Sequence, residues 1–147
     1  MSNLTFKVEF SVDNIIFFHA LNIRKIIFVD EQKATTIDNE IDDYDEFAYH
    51  VVGFLNNEPI CCARIFLKDN RYFLGRVGVI KEQRNKNIGK KLILFIIEYM
   101  KEELEARSLY IHAQINALNF YKSLNFKEFG EEFLEANIKH INMKLDI

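Results

Sequence analysis

Val77-Gly78-Val79-Ile80, followed by Arg84-Asn85-Lys86-Asn87-Ile88-Gly89-Lys90 and then by the apolar run Leu92 to Met100, is the stretch on which the architecture of this chain turns. An apolar strand feeds a basic, turn-prone loop, and the loop opens directly into a helix. The first amides of a helix have no partners within it, and the helix dipole places partial positive charge there. Basic side chains at such a position are unfavourable unless an anion sits among them. The stretch therefore reads as a cradle for a phosphate.

The rest of the chain sets the frame for that loop. At 147 residues, 49% hydrophobic and 28% charged, it has the composition of one globular domain, taken as residues 1–147, with a full core. One proline and five glycines leave no room for a linker. A net charge of −3 argues against a nucleic-acid partner, so the basic residues from Lys81 to Lys91 are a local patch. No apolar run is long enough to span a membrane. Met1-Ser2-Asn3-Leu4 lacks the basic start and apolar core of a secretory signal, so a cytoplasmic protein is expected. Cys61 and Cys62 are adjacent; on a strand they point to opposite faces, which makes them poor disulfide partners. They read as small strand residues, one of them facing the core.

Alternation predicts a strand over Leu4 to Phe10, then a helix capped by Asp13 with Ile16, Ala20, Ile23 and Ile27 on one face. The acid-rich stretch Asp38 to Glu46 reads as a loop with a short helix. It is either solvated or a field that draws in a cationic amine. Strands follow at Tyr49–Leu55, Ile60–Leu67 and Tyr72–Ile80, joined by turns at 56–59 and 68–71. Gly75 and Gly78 within the last mark a bulge or the close approach of a ligand, and Gly78 is consistent with the latter. A helix is predicted from Ile88 to Leu104, a strand over Leu109–Gln114, a short helix over Ala117–Leu124, and strands over Phe126–Phe129 and His140–Leu145. That order is a mixed α/β (α+β) domain with a largely antiparallel sheet.

The element order, the loop and Phe120-Tyr121-Lys122-Ser123-Leu124-Asn125-Phe126 together resemble the GNAT superfamily of acyl-CoA-dependent N-acyltransferases. The superfamily loop is Gln or Arg, two residues, Gly, one residue, Gly or Ala; its second mark is Phe-Tyr-x-x-x-Gly-Phe. Phe28-Val29-Asp30-Glu31-Gln32, Ile41-Asp42-Asp43 with His50 downstream, Arg76-Val77-Gly78-Val79, Ala113-Gln114 and Ile138 to Met143 are similar to its ElaA-like branch. Asn85, Asn87 and Asn125 depart from the pattern where relatives have Gly. Asn tolerates left-handed backbone better than other non-Gly residues, so the turns can still form.

The resemblance implies a splayed, mostly antiparallel central sheet flanked by helices, with acetyl-CoA as co-substrate and no metal. It implies that residues Arg84, Asn85, Lys86, Asn87, Ile88, Gly89 and Lys90 hold the coenzyme A pyrophosphate, with Arg84 and Lys90 adding charge. Val77, Gly78 and Val79 would pair with the pantetheine arm, and a backbone amide near Val79 would polarise the thioester carbonyl. Gln114 and Asn119 would face the cofactor, with Asn116 nearby, and Tyr121 would both contact it and protonate the departing thiolate. The general base is left among Glu31, Asp43, His50, His112, Glu135 and His140, with His140 and Glu135 taken as the catalytic pair. The implied reaction is direct attack of a primary amine, carried by a small molecule or a peptide. The resemblance leaves a homodimer open. The competing class is a coenzyme A-binding or protein-interaction module with weak or no catalysis, motivated by the Gly-to-Asn changes.

Overall fold

The computed structural model describes residues 3–147; the reading of Met1 and Ser2 lies outside the described residues. The elements are β1 (Leu4–Phe10), α1 (Ile15–Arg24) continued by a π-helical stretch (Lys25–Glu31), α2 (Ile37–Glu40), β2 (Ala48–Leu55), β3 (Glu58–Lys68), β4 (Arg71–Val79), α3 (Ile88–Glu102), β5 (Ser108–Gln114), α4 (Leu118–Ser123), β6 (Lys127–Glu135) and β7 (Ile138–Asp146). The seven strands form one sheet in the order β1-β2-β3-β4-β5-β7-β6. Every neighbouring pair is antiparallel except β4 and β5. The expected mixed α/β architecture with a mostly antiparallel, splayed sheet is the one the chain adopts.

Short-range chemistry explains the connections. Asn56-Asn57, Asp69-Asn70 and Ala136-Asn137 all have positive φ, the backbone that a two-residue hairpin turn requires. The helix α1 starts one residue later than expected. Asn14, not Asp13, is its cap, and its side chain accepts the Phe17 N–H at 2.7 Å. The helical spacing that includes Ile27 continues past Arg24, but the hydrogen-bond register widens: Gln32 N–H is donated to the Ile27 carbonyl at 2.8 Å.

The sheet has a core on each face. Ile88, Leu92, Ile96 and Met100, one stripe of α3, pack with Val51, Leu74, Leu109 and Met143. Ile16, Ala20, Ile23 and Ile27 pack with Val52 and Cys62 on the other face. Both cysteines are thus buried and free, Cys61 in the first core and Cys62 in the second. Burial pushes each thiol up to about 12, which leaves no thiolate near neutral pH.

Gly78 is explained by this second core. A Cβ there would lie 2.6 Å from the Ile27 Cδ1, so the close approach is made by the protein's own π-helical segment. Packing within the protein thus accounts for the missing side chain at this position.

Two departures from the predicted strands shape the molecule. The strand β6 runs to Glu135, well beyond Phe129, and pairs with β7 up to Glu135↔Ile138. Its register shifts between Phe129 and Phe133, where Gly130 has φ +75°. It is an exposed edge strand broken by a bulge, so it carries no alternation to read. In β4, Arg76 and Val77 together face the single residue Ala63, between the pairs Arg64↔Gly75 and Cys62↔Gly78, and Arg76 has φ +51°. The ladder between β4 and β5 is limited to Phe73↔Tyr110 and Leu74↔Ile111. Past that point the two strands part.

Candidate active site

The fork between β4 and β5 opens into a cleft of about 810 Å³. Phe28 and Gln32, the acid stretch, β3, the β4 residues Phe73 to Val77, the end of β5, Tyr121, and the β6–β7 hairpin line it. Among the described residues, the edge of β4 facing the fork has no strand partner beyond Leu74. Ile80 N–H is donated to the Ile60 carbonyl at 2.9 Å, so alternation turns the Val79 N–H toward the open edge.

At the top of the fork the loop runs into α3. Asn85 and Asn87 have φ of +62° and +61°, and Asn125 beside the second motif has +73°. All three asparagines therefore occupy left-handed backbone, the conformation that motivates Gly in relatives. Asn87 offers no side-chain cap, and the first helical bond runs from Lys91 N–H to the Asn87 carbonyl at 3.1 Å. The amides of Ile88, Gly89 and Lys90 have no partner within the helix and fit an anion. Gly89 also lets α4 close in, since a Cβ there would meet the Phe120 ring at 3.4 Å. Replacing Asn87 by Ala should cost about 1 kcal/mol for a left-handed non-Gly residue, whereas Asn87→Gly should change stability by only a few tenths; urea unfolding of the two variants checks this.

The Arg84 side chain does something other than supply loop charge. Its Nη atoms lie 2.6 and 2.7 Å from the two Glu31 carboxylate oxygens, and its Nε donates to the Val79 carbonyl at 2.8 Å. This bidentate pair ties the loop to the π-helical segment. The same hydrogen bond holds the Glu31 carboxyl below its usual range, so Glu31 serves Arg84 and is a poor proton acceptor. Lys86 donates to Gln83 at 3.2 Å, and Lys90 is exposed. Gln114 reaches across the cleft mouth to Gln32 at 3.3 Å. Asn119 is exposed and does not line the cleft, whereas Asn116 does.

The proton-handling candidates separate by position. His50 is fully buried beneath the sheet, stacked edge-on against Phe17 at 4.7 Å, with Nε2 donating to the Asp45 carbonyl at 2.9 Å. Burial lowers its pKa, and it does not line the cleft. Asp43 is exposed and also lies outside the lining. The cleft instead brings His112, Glu135 and His140 together. His112 Nδ1 is 3.1 Å from one Glu135 oxygen, and His140 Nε2 is 3.6 Å from the other. The hydrogen bond from His112 lowers the Glu135 pKa, so the carboxylate is charged and His112 Nδ1 carries the hydrogen. His140 Nδ1 lies 2.6 Å from the Ile138 carbonyl, which can only accept, so this nitrogen is also protonated. With Nδ1 carrying the hydrogen, Nε2 is the nitrogen of each ring left to accept a proton. Among the described residues, no group of three or more His, Cys, Asp or Glu side chains is arranged to hold a metal ion. Tyr121 lines the floor, only 5% exposed, and burial raises its phenol pKa, so it stays protonated.

The acid stretch divides: Asp38, Asp43 and Glu46 are exposed, whereas Glu40, Asp42 and Asp45 are paired with arginines. Arg24, 1% exposed, donates from Nε to Glu40 at 2.8 Å and from Nη1 to Asp45 at 2.8 Å. Arg64 reaches Asp42 at 2.6 Å and Asp45 at 2.9 Å, and Arg76 reaches Glu40 at 2.8 Å. Three guanidinium groups and three carboxylates balance one another, with Glu40, Asp42, Arg64 and Arg76 lining the cleft and Arg24 and Asp45 buried behind them. No local pattern marks these arginines, because each partner is 16 to 36 residues away along the chain.

Residues 27–147 match the family model described as the acetyltransferase (GNAT) domain. The chain is 30% identical over 142 residues to ElaA of Escherichia coli, covering 95% of this chain and 92% of that protein. The crystal structure of E. coli ElaA superposes with a TM-score of 0.83 at 28% identity, over 95% of this chain and 98% of that one. An acyl-CoA N-acyltransferase from Pseudomonas aeruginosa shares the fold with a TM-score of 0.86 at 21% identity, over 97% and 99% of the two chains. So does a GNAT family acetyltransferase from Elizabethkingia anophelis with acetyl-CoA bound, with a TM-score of 0.69 at 16% identity and 99% of each chain covered.

Proposed function

The chain belongs to the acetyltransferase (GNAT) domain family, and from that premise we propose that residues 1–147 form one N-acetyltransferase domain that moves an acetyl group from acetyl-CoA to a primary amine. The observation that carries this reading is the fork. One free strand edge leads from a loop with unpartnered helix amides to a cluster of two imidazoles and a carboxylate.

The residues present fit the cofactor. The amides of residues 85 to 90 with Lys86 and Lys90 would hold the pyrophosphate, and the open edge at Val77 to Val79 would pair with the pantetheine arm. The acceptor's ammonium must first lose a proton, because its lone pair is the nucleophile. The His140 imidazole, with Glu135 stabilising the charge it gains, takes that proton; His112 holds the carboxylate in place. As the N–C bond forms, the carbonyl oxygen gains negative charge, which a backbone N–H near Val79 would offset. The C–S bond then breaks, and Tyr121 gives its proton to the departing sulfur.

Titration with acetyl-CoA, combined with a thiol-release assay over an amine panel, tests the reading. Binding with turnover on at least one amine is the expected result. Binding without turnover on any amine supports a coenzyme A-binding module instead, and no binding ends both. Tyr121→Phe should lower kcat about tenfold while leaving acetyl-CoA affinity within twofold; unchanged kcat removes Tyr121 from the mechanism.

A further inference from the structure

One wall of the cleft is aromatic. Tyr44 and Phe66 stack at 4.3 Å with an interplanar angle of 19°, and Phe66 and Phe73 at 5.7 Å with 19°. All three rings line the cleft and are half-buried, so each leaves part of its surface uncovered there. Phe66 and Phe73 are directly paired across β3 and β4, which fixes them on one face. His112 stands at the end of this row. Its ring meets Phe73 edge-on at 5.8 Å, and its Nδ1 meets Glu135 at 3.1 Å.

Charge orients whatever lies along that wall. Of the carboxylates lining the cleft, Glu40 and Asp42 are neutralised by Arg24, Arg64 and Arg76. Asp69 sits on the exposed β3–β4 turn. Glu135 meets the two imidazoles at short range, with Arg76, itself paired to Glu40, acting from farther off, and it keeps its negative charge toward the cleft. At the other end the Lys68 ammonium lies 5.5 Å from the Tyr44 ring, which repels a second cation. A cationic amine is therefore drawn to the Glu135 end and its uncharged body to the rings.

We infer that the acceptor is a primary amine bearing an aryl group on a short linker, its ring laid on Phe66 and Phe73 and its ammonium turned to Glu135. The inference rests on the acetyl-transfer reading and narrows it. The linker is short because one side chain, His112, touches both the Phe73 ring and the Glu135 carboxylate. Ring-on-ring contact favours an aryl over an alkyl body of similar size.

The test measures two things on the full chain. The first is kcat/KM for phenethylamine, n-butylamine and 1,4-diaminobutane with acetyl-CoA. The second is the equilibrium Kd of the same amines in the presence of the unreactive desulfo-CoA. Phenethylamine should exceed n-butylamine by about fivefold to tenfold in both, with 1,4-diaminobutane the poorest. Phe73→Leu, which keeps an apolar side chain of similar bulk and so protects folding, should erase most of that preference while leaving acetyl-CoA affinity unchanged. Turnover with no aryl preference overturns the inference and spares the acetyl-transfer reading. An aryl preference in binding with no turnover supports the inference and removes the transfer reading. A preference that survives Phe73→Leu overturns the assignment of the wall.

Discussion

Glu135→Gln is expected to lower kcat for an amine acceptor on the order of a hundredfold, with acetyl-CoA affinity unchanged. The substitution keeps the shape of the side chain and its ability to accept the His112 hydrogen bond, but removes the negative charge between the two imidazoles. Glu135 is half-exposed at the end of the β6–β7 hairpin, so folding should be unaffected. The charge matters because His140 becomes cationic when it takes the proton, and a carboxylate 3.6 Å away stabilises that cation. His140→Gln should lose as much, since it removes the acceptor itself, whereas His112→Gln should lose less because it removes only an orienting hydrogen bond. Steady-state thiol release at saturating acetyl-CoA checks the series. A Glu135→Gln enzyme within twofold of the parent would remove the cluster from the mechanism.

The largest expected effect on stability is at Arg24. Its guanidinium makes four bonds, to the Glu40 and Asp45 carboxylates and the Glu40 carbonyl, between 2.7 and 3.0 Å, in a site 1% exposed. Arg24→Ala leaves two buried carboxylates short of a partner, which costs about 3–5 kcal/mol. In a chain of this length that is a fall in Tm of roughly 10 °C. The pH dependence gives the sign. Burial alone would raise the Asp45 pKa, but the hydrogen bond and charge of Arg24, with the charge of Arg64, outweigh it and bring it to about 2. The stability this depressed carboxyl contributes is present above its ordinary value of 3.8 and is lost as the pH falls toward 2. In the variant the balance reverses, because burial then dominates and Asp45 prefers to be protonated. The gap between parent and variant should accordingly be wide at pH 7 and narrow at pH 3. Urea midpoints at the two pH values check it, and a gap that does not narrow would show that Asp45 is not the group left stranded.

Much of the fold was legible because it is set by neighbours along the chain. The spacing of Ile88, Leu92, Ile96 and Met100 makes a one-sided helix wherever it is placed. Asn-rich pairs make left-handed turns for local steric reasons, and the same reason put Asn85, Asn87 and Asn125 in left-handed backbone where relatives carry Gly. The strand β6 past Phe129 was not legible, because an exposed edge with a bulge has no apolar alternation to display. Asp13 lost the cap position to its neighbour Asn14, a one-residue difference that composition does not resolve.

The site divides along the same line. The amino-acid sequence by itself determined that a strand, a basic loop and a helix N-terminus succeed one another, and that Tyr121 and His140 lie in elements able to meet them. Those are statements about local conformation, and local sterics suffice for them. Only the tertiary structure decided that Arg84 holds Glu31 across 53 residues, that Gly78 makes room for Ile27, that Glu40, Asp42 and Asp45 are paired with three arginines, and that Glu135 joins His112 to His140. The reason is register. A strand shows alternate side chains to opposite faces, so which residues meet depends on how distant strands are paired, and a shift of one residue turns every one of them away.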